Sequence, residues 1–426
     1  MTAYPDSSIF QHADQTIRDR IAMHTLKNKK IHLETYGCTF NFADTEKISR
    51  LALKNGCTIV PPGRAEAVII NTCTVVAQTE RAMLRAIADY PDKEMYVTGC
   101  MPVVQEDLIY NIRPDARLIL PEELYSCSDT IGALVDGATG VVQTARGCVN
   151  RCAYCITRNA RGPLRSFPED KIKREIERLV SLGAVEIQLT GQDLSAYGMD
   201  SGTSLAELLT GIGSMEGEFF VRVGMMNPST VIPQLDELID AFSGDKIFSF
   251  AHLPVQSGSD KVLSGMKRGY TSGDFRDIVS AFRRKDPDVR ISTDFIVGYP
   301  TETEEDFLQT LSLFEGTRPT KVNITRFSVR DGTDAASLKD IPDWIKKERS
   351  RTLTIAANRL YDSVNETFIG KDADVIVTER KRAGSSIARD KSYNNIVIKE
   401  ELETGTRCRV RIVSHRRHYL IGEMIG

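Results

Sequence analysis

"VVQTARGCVNRCAYC", residues 141–155, runs an apolar strand pattern straight into a loop that holds Cys148, Cys152 and Cys155. In open α/β architectures the chemistry collects at the carboxyl ends of parallel strands, so a strand feeding such a loop fits one unit of that kind. The unit recurs downstream. "AVEIQLT", "EFFVRV", "IFSFAHL", "VRISTDFIV" and "KVNITRF" read as five further strands, with helical patterns such as "PEDKIKREIERLVSLG" and "TEEDFLQTLSLFEG" between them. Six strand-helix units predict a partial (β/α)6 barrel over residues 136–335. Its unusual segments, "TGQDLSAYG", "GMMNPST", "PVQSGSD", "VGYPTETEEDF" and "FSVRDGTDAA", all follow strands.

Upstream, residues 1–30 are a weakly patterned extension, and a second α/β domain spans 31–135. "IHLETY", "AEAVIINTC", "EMYVTGC" and "RLIL" are its strands, alternating with helical segments, which predicts a largely parallel sheet. Cys38, Cys73 and Cys100 each end one of these strands. In a parallel sheet those ends share one edge, so three cysteines 35 and 27 positions apart are expected to converge there as a second metal site.

Downstream of a charged helical linker, 336–363, residues 364–426 change character to short strands of a small β-barrel. This segment carries 12 Lys and Arg against 9 Asp and Glu, although the whole chain has a formal charge of −3. A basic edge of Arg380, Lys381, Arg382, Arg416 and Arg417 suits phosphate backbones. A solvated charged surface would look the same.

Composition narrows the class further. Nine cysteines among 426 residues are too sparse and odd in number for a disulfide framework, and most fall at apparent strand ends, as ligands in a reducing compartment would. Neither a membrane-length apolar run nor a signal peptide is evident, so the chain is read as cytoplasmic. No G-x-x-x-x-G-K-[ST] loop supports nucleotide hydrolysis.

The C-x3-C-x2-C loop supplies three thiols. Zinc would need a fourth ligand and ordinarily a second short cysteine pair, which is missing here. A redox use also stays open. The spacing favours an iron-sulfur cluster with one iron left open. S-adenosylmethionine can chelate such an iron, and reductive cleavage then yields a 5'-deoxyadenosyl radical, so the cofactor carries the difficult chemistry.

"RGCVNRCAYC" resembles the radical S-adenosylmethionine motif. Together with "YGCTFNFADTE", "NTCTV", "VTGCMP", "GQDLSAYG", "HLPVQSGSDKVLSGMKRGYT", "STDFIVGYPTETEEDF" and the carboxyl-terminal β module, it resembles the methylthiotransferase family from residue 30 onward. The branch it is most similar to is the archaeal and eukaryotic one, which converts N6-threonylcarbamoyladenosine at tRNA position 37 to its 2-methylthio derivative. "NTCTVV" and "GCMPVV" depart from the common bacterial forms of those motifs.

The resemblance implies two [4Fe-4S] clusters, one on Cys148, Cys152 and Cys155 and one on Cys38, Cys73 and Cys100. The first would generate the radical, and the second would present the sulfur that becomes methylated. It implies a TRAM-like RNA-binding module, tRNA as substrate, a low-potential electron donor such as ferredoxin or flavodoxin, and a sulfur donor. Relatives acting on another modified adenosine or on a ribosomal protein aspartate are the near alternative. A non-catalytic iron-sulfur scaffold that binds RNA is the distant one.

Further residues are expected at the cofactor. Tyr154 resembles the family aromatic near the adenine, and Gly298 begins a turn that resembles the adenine-side loop. Gln192, Asp193 and Gln256 stand where polar side chains bind cofactor or substrate, with Ser257 and Ser259 in the same glycine-bearing turn. Arg222, a charge inside an apolar strand, is assigned to the cofactor carboxylate, with a structural salt bridge the competing role. Asp294 is assigned to cofactor binding, with barrel support the competing role, and His252 is as readily a core residue. Cys57, Cys127 and Cys408 have no clustered partners and read as structural.

Overall fold

β3 (Ala67–Thr72) is buried at every position, as a Val/Ile-rich strand covered on both faces must be. It is the middle of a parallel five-stranded sheet in the computed structural model, which describes residues 22–74, 77–126 and 131–425. The order is β2-β1-β3-β4-β5, with β1 Lys30–Thr35, β2 Thr58–Ile59, β4 Glu94–Gly99 and β5 Arg117–Leu118. Alternation along β3 sends Val68 and Ile70 into one apolar layer with Met83, Ile87 and Val97. Ile69 enters the other, with Ile31, Ile48 and Tyr96. This first compact unit comprises residues up to Gly132 together with Asn159–Arg161.

The second unit comprises Ala133–Arg158 and the chain from Gly162 onward. It starts with a hairpin, β6 (Ala133–Asp136) against β7 (Thr139–Gln143). β8 (Ala145–Arg146) then pairs with β9 (Arg165–Ser166), clamping the base of the cysteine loop. β7, β10 (Glu186–Thr190) and β11 (Phe220–Val223) are parallel, as are β12 (Phe250–His252), β13 (Arg290–Val297) and β14 (Lys321–Arg326). Parallel bridges Val221 to Ile247 and Met225 to His252 join the two sets, giving the six parallel strands of the expected incomplete barrel.

Capping fixes where the outer helices begin. Ser204 with Glu207, Thr271 with Asp274 and Thr303 with Asp306 each form a reciprocal capping box. The helix Asp343–Glu366 does more than link domains. It covers β14 and buries Lys346, Arg349, Leu353, Ala357 and Leu360, and Arg349 pairs with Glu302 at 2.7 Å.

Beyond it, β15 (Asp372–Arg382), β16 (Ser385–Arg389), β17 (Asn395–Ile398), β18 (Arg407–Arg416) and β19 (Tyr419–Met424) close a barrel in the order β15-β16-β17-β19-β18. Val375, Val377, Ile396, Ile398, Val410 and Ile412 fill it, each pair two positions apart on one strand, as a period of two requires. The module is seated at the amino ends of the larger barrel's strands. The Tyr393 hydroxyl donates to Glu186 at 2.6 Å, and its ring packs on Phe248 and Phe250. The Lys391 ammonium donates to three carbonyls at 244, 245 and 247. No helix among the described residues is long and apolar enough to cross a membrane.

Candidate functional site

In the first unit the three cysteines follow three adjacent strands, as the sheet argument required. The Cys100 amide donates to the Thr72 carbonyl at 3.0 Å, which ties it beside Cys73. Gly37, before Cys38, has φ +110°, and a Cβ there would lie 2.6 Å from the Cys73 Cβ. Gly99 (φ +91°) and Gly147 (φ +72°) precede Cys100 and Cys148 in the same left-handed region, which a side chain rarely enters. At Gly147 a Cβ would meet the Pro163 carbonyl oxygen at 2.0 Å.

The helix Thr39–Lys54 starts directly after Cys38 and turns a polar face inward through Asn41, Asp44 and Lys47. The Asn41 amide donates to the Tyr36 and Thr72 carbonyls, knitting the ends of β1 and β3 together. Arg161 completes this set. It donates to Asp44 at 2.5 Å and to Asn41 at 2.7 Å, and it lies over the Phe40 ring. Burial pushes the Cys100 thiol up, and the nearby Arg161 guanidinium works against that shift. Both side chains of the Arg161–Asp44 pair are only 2% exposed. Arg161→Leu is therefore expected to cost about 3–5 kcal/mol, because it strands a buried carboxylate. Denaturant unfolding checks this, and the double variant with Asp44→Asn should recover part of the loss.

In the second unit, the Cys155 amide donates to the Cys152 carbonyl at 3.0 Å, tightening the loop. The Cys148 sulfur accepts from the Asn150 amide at 3.4 Å and its side chain at 3.7 Å, and the Cys152 sulfur accepts from Arg268 at 3.2 Å. Burial pushes the Cys148 thiol up to about 12, with the Asp193 charge adding to it. Burial also pushes up Cys155 and Tyr154.

Asp193 is the node of this end of the barrel. Its carboxylate accepts from Asn150 at 2.9 Å, Ser195 at 2.8 Å, Thr230 at 2.9 Å and the Asn227 amide at 3.0 Å. Burial raises its pKa, and those donors oppose the rise. It stands at the end of β10, and these contacts tie the cysteine loop to the segments after β10 and β11.

Gln192 and Gln256 carry buried side-chain carbonyl oxygens with no hydrogen-bond partner among the described residues, and Gln256 holds φ +74°. A buried acceptor without a partner and a strained non-glycine backbone fit a bound cofactor that supplies donors. Ser257 and Ser259 are taken up in the turn, with Ser259 capping the next helix and donating to Asp306 at 2.7 Å. Asp294 is bonded to His252 at 3.0 Å and Asn323 at 2.7 Å, and although burial opposes it, these partners hold its carboxyl below the usual range. The Gly298 amide donates to Glu302 at 2.6 Å, and Lys346 fills the space beside it.

Arg222 falls in a different group. Its guanidinium lies over Phe250 and Tyr393, at the seat of the small barrel. Of the expected basic edge, Arg416 is exposed, Arg380 pairs with Glu401 at 3.6 Å and Arg417 with Asp362 at 3.6 Å. The side chains of Lys381 and Arg382 lie outside the described residues, as does Cys127. Cys57 is buried in the first unit's core, and Cys408 packs against the small barrel's core.

Among the described residues no group of three or more His, Cys, Asp and Glu is set to hold a single metal ion. Cysteine-only sets of this kind suit iron-sulfur clusters, where the cysteines bind separate irons. The donor chemistry, the glycine cradles and the unpartnered oxygens of Gln192 and Gln256 fit clusters and S-adenosylmethionine.

Residues 142–314 match the Radical SAM superfamily, and 30–121 match the uncharacterized protein family UPF0004. The larger barrel of the second unit is thus a radical S-adenosylmethionine barrel. A probable threonylcarbamoyladenosine tRNA methylthiotransferase of Archaeoglobus fulgidus is 43% identical, over 93% of this chain and 98% of that protein. One of Methanothermobacter thermautotrophicus is 38% identical over 92% and 99%. The chain belongs to the threonylcarbamoyladenosine tRNA methylthiotransferase family. Among solved structures, the radical S-adenosylmethionine methyltransferase TsrM of Kitasatospora setae has a TM-score of 0.54 at 15% identity, covering 72% of this chain and 77% of that one, which speaks for the fold alone.

Proposed function

We propose that the protein adds a methylthio group to C2 of N6-threonylcarbamoyladenosine at tRNA position 37. The observation that carries this is the full-length likeness to relatives so named, joined to intact three-cysteine sets at both strand edges. Cys148, Cys152 and Cys155 would hold one [4Fe-4S] cluster, and Cys38, Cys73 and Cys100 the other. When bound, these groups and S-adenosylmethionine supply a primary carbon radical and a sulfur donor, which C2 needs because it has neither an acidic proton nor a leaving group.

The chain's own residues hold this chemistry in place. Asn150 and Arg268 donate to the Cys148 and Cys152 sulfurs, contacts that would tune the reduction potential of a cluster held there. Asp193 locks Asn150 against the loops after β10 and β11. Gln192 and Gln256 would accept from the cofactor, and Tyr154 would pack on its adenine. Gly298 would offer its turn to the same base. Asp294, held by His252, would support the barrel wall. Arg380, Lys381, Arg382, Arg416 and Arg417 would contact RNA. An electron donor such as ferredoxin or flavodoxin and a sulfur donor complete the partners.

Anaerobic, reconstituted protein with dithionite, S-adenosylmethionine and tRNA bearing the threonylcarbamoyl group should yield the 2-methylthio nucleoside by mass spectrometry of the digest. Ribosomal protein should gain nothing. Sulfur on the protein and none on tRNA would overturn the substrate.

A further inference from the structure

At the amino ends of the barrel strands, opposite the end that carries the cysteine loop, a cavity of about 730 Å³ lies between the larger barrel and the small one. Arg222, Arg290, Lys321, Arg389 and Arg417 line it, and its described lining holds no aspartate or glutamate. Three of these are already engaged. Arg389 faces Glu186 and Glu379 at 3.7 and 3.2 Å, Arg417 faces Asp362 at 3.6 Å, and Arg290 donates to Asn394.

Arg222 and Lys321 are different. Arg222 meets only aromatic faces, with ring centroids 5.2 and 5.8 Å away, and neither side chain has a hydrogen bond or ion pair among the described residues. The acid that acts on Lys321 is Asp294, whose carboxylate is already bonded to His252 and Asn323. Burial pushes the Lys321 ammonium down, and Arg222 and Arg389 push the same way. Cations gathered in a partly enclosed cavity without their own anion form a site for one brought from outside.

We propose that this recess seats backbone phosphate of the RNA substrate on Arg222 and Lys321. The inference rests on the tRNA reading above and adds a contact distant in the fold from the cysteine loop. The rim favours a polymer over a free phosphate. Arg417, His418 and Tyr419 line the recess and also a neighbouring surface groove of about 480 Å³ that includes Arg416. Asp362 also lines that groove and pairs with Arg417, so Arg416 is the cation that extends the recess along it, with Tyr419 and His418 exposed as rings for stacking. A small anion would need only the recess.

The test measures tRNA binding to the anaerobic holoenzyme across a salt series for wild type, Lys321→Gln and Arg222→Gln, with Arg174→Gln on an outer helix as the control. Lys321 is exposed to the cavity and holds up no other group, so Lys321→Gln should melt and bind iron as wild type does. Each recess variant is expected to weaken binding about five- to tenfold and to flatten the log-log salt slope by about 0.7–0.9, the share of one phosphate. Unchanged affinity and slope would overturn the site. Calorimetry with inorganic phosphate and pyrophosphate is the second arm. Binding of these that the variants lose, with tRNA affinity unmoved, would assign the recess to a free phosphate and overturn the RNA source. No tRNA binding by the wild type would instead sink the functional reading, and the recess with it.

Discussion

Cys148→Ala is expected to abolish reductive cleavage of S-adenosylmethionine, lowering 5'-deoxyadenosine formation by more than about 10³-fold, and to remove about four of about eight irons per chain. The magnitude follows from what surrounds the residue. Outer groups that merely orient a metal ligand are typically worth about 10–100-fold. Asn150 is such a group here, donating to the Cys148 sulfur through both its backbone and its side chain. Removing the sulfur must cost more than removing its donor. Asn150→Ala is the internal scale and should fall within that smaller range. Iron analysis and chromatography of the nucleoside product decide it, and a Cys148→Ala protein with full iron and residual cleavage would remove this loop from the radical site.

Cys100→Ala should separate the two halves of the reaction. Its cysteine set lies in the first compact unit, on a sheet of its own, so the loop of Cys148, Cys152 and Cys155 retains its ligands and its donors. The expected protein loses about four irons, continues to form 5'-deoxyadenosine, and transfers methylthio groups at less than about 10⁻³ of the wild-type rate. Mass spectrometry of the digested tRNA, set against 5'-deoxyadenosine from the same reaction, gives the ratio. Methylthio transfer persisting with half the iron gone would show that the second set is structural.

The repeating parts of the fold were legible because burial on both faces forces Val and Ile into continuous runs, as in "AVIINT" and "VRISTDFIV". The edge strand Thr58–Ile59 was not, since two exposed residues carry no period. The segment from 336 onward reads as a charged linker because "KKERSR" hides two buried cations. Lys346 is met by Asp340 six positions upstream, and Arg349 is inside because Glu302, 47 residues away, comes to meet it.

At the site the cysteines were legible from spacing and strand ends. Arg161, Arg268 and Asn150 were not singled out, although Asn150 and Arg268 lie in quoted motifs and Arg161 stands six residues after Cys155. A charge at the end of a short helix gives no sign of burial until its partner is known, and Asp44 is 117 residues from Arg161. Arg222 carried the opposite lesson. A charge in an apolar strand stood out in the sequence, but the strand pattern alone leaves open which end of the barrel it faces, and Arg222 lies over Phe250 and Tyr393.

The glycines before Cys38, Cys100 and Cys148 bear on how this chain tolerates change. Each thiol is aimed by a backbone turn, with the preceding glycine in a conformation that side chains rarely adopt. A core leucine has several near-equivalents by volume, and its loss is graded. These glycines have none. Under random substitution the chain should therefore be brittle just before each of these cysteines, at residues whose own side chain offers a ligand nothing.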